Sequence, residues 1–384
     1  MAEFTFTGEQ QQLRAAVRKF CAESFAEATV RRLMESEVRY DPAVWRRLGA
    51  ELGVLGMSVP EADGGVGGSL VDQAVAVEEF GAALGCGPFF GTVYLAIPAL
   101  VACGSGDARD DLLAALIDGE RTAAFAVNDA AGALDSNVTV TAQSRGDGVM
   151  LTGTAKRVVD AGAADVVLVA ARGDDGVGLY AVDADDLRRT PLVTMDLTRP
   201  QADIVFADAP ARLLAGPADA ERVITHALQI GSALLAVEQV GAAQHMLDLS
   251  VDYAKSRLQF GRHIGSFQAV KHKLADMLVD LEHARSTAYH AVWALADGSD
   301  DPALAVSIAQ ATCSAAFSRI AADSIQVHGG IGFTWEHQAH LYFKRAATDA
   351  ALLGSAEQHR GRIAALVLDT AIVDEPPRVA AGIA

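Results

Sequence analysis

Two stretches of this chain carry residue types that a helix does not need for stability alone. RLQFGRHIGSFQAVKHKLADM covers 257–277, and IQVHGGIGFTWEHQAHLYFKRA covers 325–346. The first holds Arg257, Phe260 and Gln268; the second holds Gln326 and the pair Gly329–Gly330. Arginine grips a phosphate or carboxylate with two donors. Phenylalanine offers a flat face to a heteroaromatic ring, and glutamine supplies a donor and an acceptor. Paired glycines let a helix end at positive φ and let a ligand approach the backbone. If the first stretch is helical, Arg257 and Phe260, three apart, share a face. Together these features describe a groove for a large anionic cofactor. The plainer alternative is a solvated helix end followed by a glycine turn, with Gly329–Gly330 as an ordinary C-cap.

Other candidates for chemistry are thin. The chain has no GxSxG and no HExxH. The loop PEADGGVGGS lacks the Lys–Ser/Thr ending of a phosphate-binding loop and follows no strand, so it reads as a flexible connector. Glu78–Glu79 reads as an exposed helix pair, and His328 as structural. The four cysteines form no CxxC pair, so neither a zinc site nor a disulfide framework is expected.

Composition sets the frame. The chain has 384 residues, 51% of them hydrophobic, enough for two or three packed domains. Its net charge is −18, with 49 acidic against 31 basic residues, which argues against a nucleic-acid partner. The basic residues concentrate near 257–273 and at Lys344–Arg345, a pattern that fits a local anion site. No signal sequence, no uninterrupted apolar run of about 18 residues and no membrane span is seen, so a reducing cytoplasm is the expected home.

The elements that must position the candidates fall into three blocks. Residues 1–120 read as helices: Thr7 with Gln10 makes a capping box, Asp41 before Pro42 caps a second helix, and Ser69 starts a third. From 121 to 217 short Val-rich runs separated by RGDG and RGDDG read as an antiparallel sheet domain. From 218 to 384 helix returns, with segments 221–255, 274–295, 304–327 and 335–351 forming a four-helix bundle before a loose tail. The fold class is α+β: N-terminal helical domain, middle antiparallel β-domain, C-terminal bundle.

This order and three segments resemble the acyl-CoA dehydrogenase family over nearly the whole chain. GVLGMSVPEADGGVGGSLVDQAVAVEEFG (53–81) resembles the family's GLxGxxxPExxGGxG segment, and the two opening stretches resemble its C-terminal signatures. The resemblance implies a tetrameric flavoenzyme acting on acyl-CoA thioesters, with FAD at a subunit interface and an electron-transfer flavoprotein as electron acceptor. It implies that Arg257, Phe260, Gln268, Gln326, Gly329 and Gly330 grip the ADP half of a FAD anchored in a neighbouring subunit. In such an enzyme a carboxylate removes the α-proton of the thioester while the flavin takes the β-hydride.

The departures are selective. The family's base is the Glu of a YEGT motif; here the segment is LLGS and Leu353 stands in its place. At the alternative base position on an earlier bundle helix stands Gly231, followed by Ser232 where Arg is usual. The TEPGAGSD loop matches only loosely, as NDAAGALD at 128–135. The WITN strand becomes RVVD, so Arg157 and Val159 replace the Trp that shields the flavin and the Thr that bonds it. The half-site serving a neighbour's cofactor is kept, and the half-site for its own flavin ring and its base is lost; no residue is assigned as catalytic. This pattern resembles the second subunit of actinobacterial heteromeric (α2β2) acyl-CoA dehydrogenases, which act on bulky thioesters such as steroid side-chain CoAs. The alternatives are a self-sufficient homotetramer with its base moved to Glu238 (or, less well placed, Asp160, Asp349 or Glu357), and a flavin-free acyl-CoA-binding scaffold. In the bland reading Glu238 is a buried residue bonded within the bundle.

Overall fold

The computed structural model describes residues 5–127, 138–146, 148–298 and 300–369. The NDAAGALD segment and the C-terminal tail lie outside the described residues. Six helices come first: α1 (Gly8–Ser24), α2 (Glu27–Met34), α3 (Pro42–Ala50), α4 (Leu70–Ala82), α5 (Ile97–Ala102) and α6 (Asp107–Ile117). The starts follow from capping chemistry. Thr7 and Gln10 exchange reciprocal bonds of 3.2 and 3.0 Å, and Ser69 does the same with Asp72. Asp41 accepts the Ala43 N–H at 2.9 Å, with Pro42 at the first helical position, where its missing donor costs nothing.

The strands are β1 (Ala123–Ala126), β2 (Val140–Arg145), β3 (Gly148–Val159), β4 (Val166–Gly173), β5 (Gly176–Asp183), β6 (Arg188–Pro191) and β7 (Gln201–Ala215). The expected all-antiparallel sheet is corrected to a mixed one, because β1 and β2 both run parallel to β4. The β2–β3 hairpin lies between β1 and β4 in sequence and supplies the crossover that a parallel pair needs. Pairings β4–β2, β2–β3, β3–β7, β7–β5 and β5–β4 form a closed circuit. Its interior holds a separate apolar cluster that includes Leu151, Val167, Val169, Ile204 and Phe206.

Then come α7 (Pro217–Ser256), a hairpin of β8 (Leu258–Gln259) and β9 (Arg262–His263), α8 (Gln268–Asp297), α9 (Pro302–His328), α10 (Ala339–Asp349) and α11 (Ala356–Ala364). Trp335 lies in a turn before α10 rather than inside a helix. By length and composition, Pro217–Ser256 and Pro302–Phe333 could each cross a membrane; 72% and 61% of their most apolar windows are buried inside the protein. The bundle core supplies that burial.

α4 and α7 cross backbone to backbone. A Cβ at Gly241 would lie 1.8 Å from the Glu78 carbonyl oxygen, and one at Gly81 would lie 2.1 Å from the Glu238 carbonyl oxygen. Only glycine permits that approach. The loop before α4 is also tighter than a flexible connector: Gly65, Val66, Gly67 and Gly68 donate backbone bonds to Pro60, Gly56, Val59 and Met57. Glu78 and Glu79 are buried, not exposed. Arg14 at 2.8 Å, Tyr289 at 2.6 Å and Arg285 satisfy Glu78, and Arg18 forks onto Glu79 at 2.8 and 2.9 Å. A charge is tolerated at such depth only when partnered, which sequence spacing alone did not reveal.

Candidate functional site

The six residues of the two opening stretches converge on one end of the bundle. α7 stops at Arg257, whose backbone turns to an extended conformation. The chain then reverses through Phe260 (φ 53°) and Gly261 (φ 77°) into β9. Arg257 and Phe260 therefore do not share a helix face: two consecutive positive φ values make a hairpin turn instead. Phe260 stands 90% exposed, its ring edge-on to Phe267 at 6.1 Å. Arg262 lies 3.9 Å above the Phe267 ring. Gln268 opens α8, whose N-terminus has no side-chain cap.

The end of α9 reaches the same place. Tyr253 in α7 packs on His328 at 4.5 Å, and His328 on His337 at 4.3 Å. Lys273 in α8 pairs with Asp323 in α9. Gln326 is exposed, and Gly329 and Gly330 have no atom within 4 Å of where a Cβ would sit. Gly329 takes φ 64° as the α9 cap, so the C-cap reading is right and leaves the groove reading intact. His328 is structural, its Nδ1 donating to the Ser324 carbonyl at 2.7 Å. All six residues are exposed, with open backbone at the glycines and no side-chain cap on the N–H groups at the start of α8. That set fits the sugar–phosphate half of a dinucleotide: cation, amides, glycine backbone and helix N-terminus.

A separate cavity of about 410 Å³ opens between the sheet and the bundle. Phe90, Leu95, Val158, Val159, Leu228, Leu352 and Leu353 form much of its wall. Leu353 occupies the position of the expected base and is 7% exposed. Its φ of 55° is unusual for a bulky side chain; His359 bonds its carbonyl at 2.9 Å and helps hold the turn. The alternative base position is filled rather than vacant: a Cβ at Gly231 would meet Leu95 Cδ2 at 2.4 Å. Val159 offers the cavity no side-chain hydrogen bond. Among the described residues no carboxylate lines the wall.

The remaining carboxylates sit in a buried charge cluster. Glu238 accepts Arg345 Nη1 at 2.6 Å, Tyr94 Oη at 2.8 Å and Arg199 Nη2. Arg345 also donates to Asp196 at 2.9 Å and Thr198 Oγ1 at 2.6 Å. Burial pushes the Glu238 carboxyl up, but Arg199 and Arg345 more than offset it and hold the group below its usual range. Glu238 is therefore the bonded structural residue of the bland reading, and it does not line the 410 Å³ cavity. Asp349 is fully buried and neither oxygen has a hydrogen-bond partner among the described residues. Its nearest cation, Arg199 Nη2, is 3.5 Å away and already committed to Glu238. Burial pushes Asp349 up to about 8, Arg199 pulling it back and the Glu238 charge adding to the rise. Protonated Asp349 leaves two arginines matched by Asp196 and Glu238. Burial likewise raises Asp160 to about 6, against the Gly91 N–H it accepts at 2.9 Å. Glu357 is exposed in the first turn of α11.

Arg345 thus belongs to this cluster, not to a surface anion site; Lys344 beside it is half-buried and lies over Trp335 at 4.4 Å. Arg199 and Asp196, both essential to the cluster, carried no sequence signal: each lies in a loop and pairs across more than a hundred residues with α10, or 39 with α7.

Known proteins place the chain firmly. Residues 7–120 match the family model described as acyl-CoA dehydrogenase, N-terminal domain, and residues 221–368 the one described as acyl-CoA dehydrogenase, C-terminal domain. The chain is 34% identical to the acyl-CoA dehydrogenase IpdE2 of Mycolicibacterium smegmatis over 94% of its length and 99% of that protein. It is 38% identical to IpdE2 of Mycobacterium tuberculosis, covering 90% and 93%. Among solved structures, the Tcur3481–Tcur3483 steroid acyl-CoA dehydrogenase superposes with a TM-score of 0.85 at 31% identity, covering 95% of this chain and 99% of that one. The ChsE4–ChsE5 complex from Mycobacterium tuberculosis superposes at 0.86 with 29% identity, covering 97% and 100%.

Proposed function

The chain belongs to the acyl-CoA dehydrogenase family of FAD-dependent oxidoreductases acting on CH–CH bonds, and on that footing we propose that it is the base-lacking subunit of a hetero-oligomeric member. In this reading it completes a partner's FAD site and does not itself abstract the α-proton. What supports it is the division within one structure. The six cofactor-facing residues are solvent-exposed at the bundle end, while the base position holds Leu353 and the alternative position is packed shut by Leu95.

Bound FAD would supply the hydride acceptor. Arg257 would neutralise pyrophosphate charge, Phe260 would cover a ring face, and Gln268 and Gln326 would bond the polar edge. Gly329 and Gly330 would let the backbone come within hydrogen-bond reach. The partner would contribute the base and the isoalloxazine pocket. Two similar structures are two-protein assemblies, Tcur3481–Tcur3483 and ChsE4–ChsE5, the first a steroid enzyme. By that likeness the assembly is α2β2 and the acyl group bulky and polycyclic. A relocated base at Glu238 is disfavoured because two arginines and a tyrosine hold that carboxylate away from the cavity.

The test is to purify the chain alone and together with a neighbouring gene product of the same fold that carries the YEGT glutamate. The lone chain should hold little flavin and oxidise no acyl-CoA, and the pair should do both. Full flavin occupancy with strong activity in the lone chain would refute the proposal.

A further inference from the structure

The rim of the cavity beside Leu353 carries a cation on a distorted strand. Ala155 pairs with Ile204 and Val158 with Ala202, so Lys156 and Arg157 together oppose the single residue Asp203. That is a β-bulge, a device that re-aims side chains beside binding sites. Asp203 fastens it twice, accepting Lys156 Nζ and the Arg157 backbone N–H, both at 2.9 Å. Arg157 is thereby held at φ 56° on the cavity wall. Lys156 is neutralised by Asp203. Among the described residues the Arg157 guanidinium has no ion-pair partner within 4.0 Å and no carboxylate lines the cavity; Asp203, committed to Lys156, acts on it only at longer range. The cavity wall is otherwise mainly aliphatic and aromatic, with Thr194, Gln201 and Thr348 as minor polar points. A volume of about 410 Å³ is within the roughly 300–1,000 Å³ range of small-molecule pockets.

We infer that this cavity is a binding pocket for an amphipathic carboxylate, its apolar body against Leu95, Leu228 and Leu353 and its anionic head on Arg157. The inference rests on the reading that this chain's own cavity does not house a flavin ring, and the two can fail separately. Displacement of a dansyl-undecanoate probe from the full-length chain, alone and in the co-purified pair, tests it. Decanoate should displace the probe saturably, and decanol about tenfold less well, the factor expected of one charge-assisted contact. Arg157→Gln should erase that preference while Lys156→Gln leaves it. Added FAD should not displace the probe, whereas flavin absorbance of the pair reports the cofactor reading independently. Absence of saturable binding, equal binding of decanol, an unchanged preference in Arg157→Gln, or displacement by FAD would each overturn the inference. Decanoyl-CoA is the remaining arm: if it displaces the probe better than decanoate does, the head group is the thioester's and not a free carboxylate.

Discussion

Arg345 in α10 and Glu238 in α7 form an ion pair of 2.6 Å with both side chains about 95% buried. The pair is not isolated. Arg199 and Tyr94 complete the carboxylate, and Asp196 and Thr198 complete Arg345. One buried network therefore ties the loop after β6 to two helices of the bundle. Removing one member leaves charges buried without a counter-ion.

Glu238→Ala should accordingly cost about 3–5 kcal/mol, the typical loss when one partner of a buried pair is deleted. Glu238→Gln should cost less, because the amide oxygen still accepts. Thermal denaturation checks both. If Glu238 were a relocated base, Glu238→Gln would keep its melting temperature and abolish activity of the assembled enzyme; the structural role predicts activity in proportion to the folded fraction.

Asp349 and Asp160 make stability fall as pH rises. Each has a folded-state pKa raised above its unfolded value of 3.8, to about 8 and about 6. A raised group binds more protons folded than unfolded, so its contribution is present below pH 4 and is lost as pH climbs through the folded pKa. The melting temperature should decline between pH 4 and 8, with Asp349 responsible for the portion above about 6. Asp349→Asn should flatten that upper portion. An unchanged slope in Asp349→Asn would contradict the assignment.

Glu78 acts at the other end of the scale. Burial raises it, but Arg285, Arg14 and Tyr289 outweigh burial and hold it below 4.5. Its stabilisation is present above pH 4.5 and lost as pH falls through its folded pKa. Glu78→Gln should lower the melting temperature at pH 7 and shift the acid-unfolding midpoint upward, because Arg14 and Arg285, which join α1 and α8 to α4, lose their nearest counter-charge and keep only the longer contacts to Glu79 at 3.4 Å and Glu282 at 3.5 Å.

Leu353→Glu restores the family's base in name only. The new carboxyl would enter a wall where Val159 supplies no donor, so burial would raise its pKa, with Arg157 on the same wall acting against that rise. The lone variant should melt lower than wild type and show no acyl-CoA oxidation. Turnover by the lone variant would show that only the base was missing.

Much of the fold was legible because its signals are local. Thr7, Asp41 and Ser69 announce helix starts through side chains that bond their own first turn, and alternating Val-rich runs announce strands. Parallel pairing of β1 with β4 was not legible, since it depends on which strands meet after a crossover. The site divides the same way. Leu353 and Gly231 could be placed by motif, and the bundle end by its Arg, Gln and Gly. Phe260 and Gly261 form a hairpin turn that the helix-like context concealed. Glu78, Arg199 and Asp349 look like surface charges until partners 39 to more than 200 residues away are known.

The central claim is that the grip on the cofactor and the base belong to different chains. Its most direct measurement is flavin content per assembly after co-purification with the base-bearing partner, for wild type and for Arg257→Gln with Phe260→Ala in this chain. Both residues are exposed, so the double variant should fold and assemble with a melting temperature close to wild type. The account predicts that its flavin affinity falls more than tenfold, through loss of a charge-assisted contact and a ring face. Full flavin retention by the double variant would contradict it.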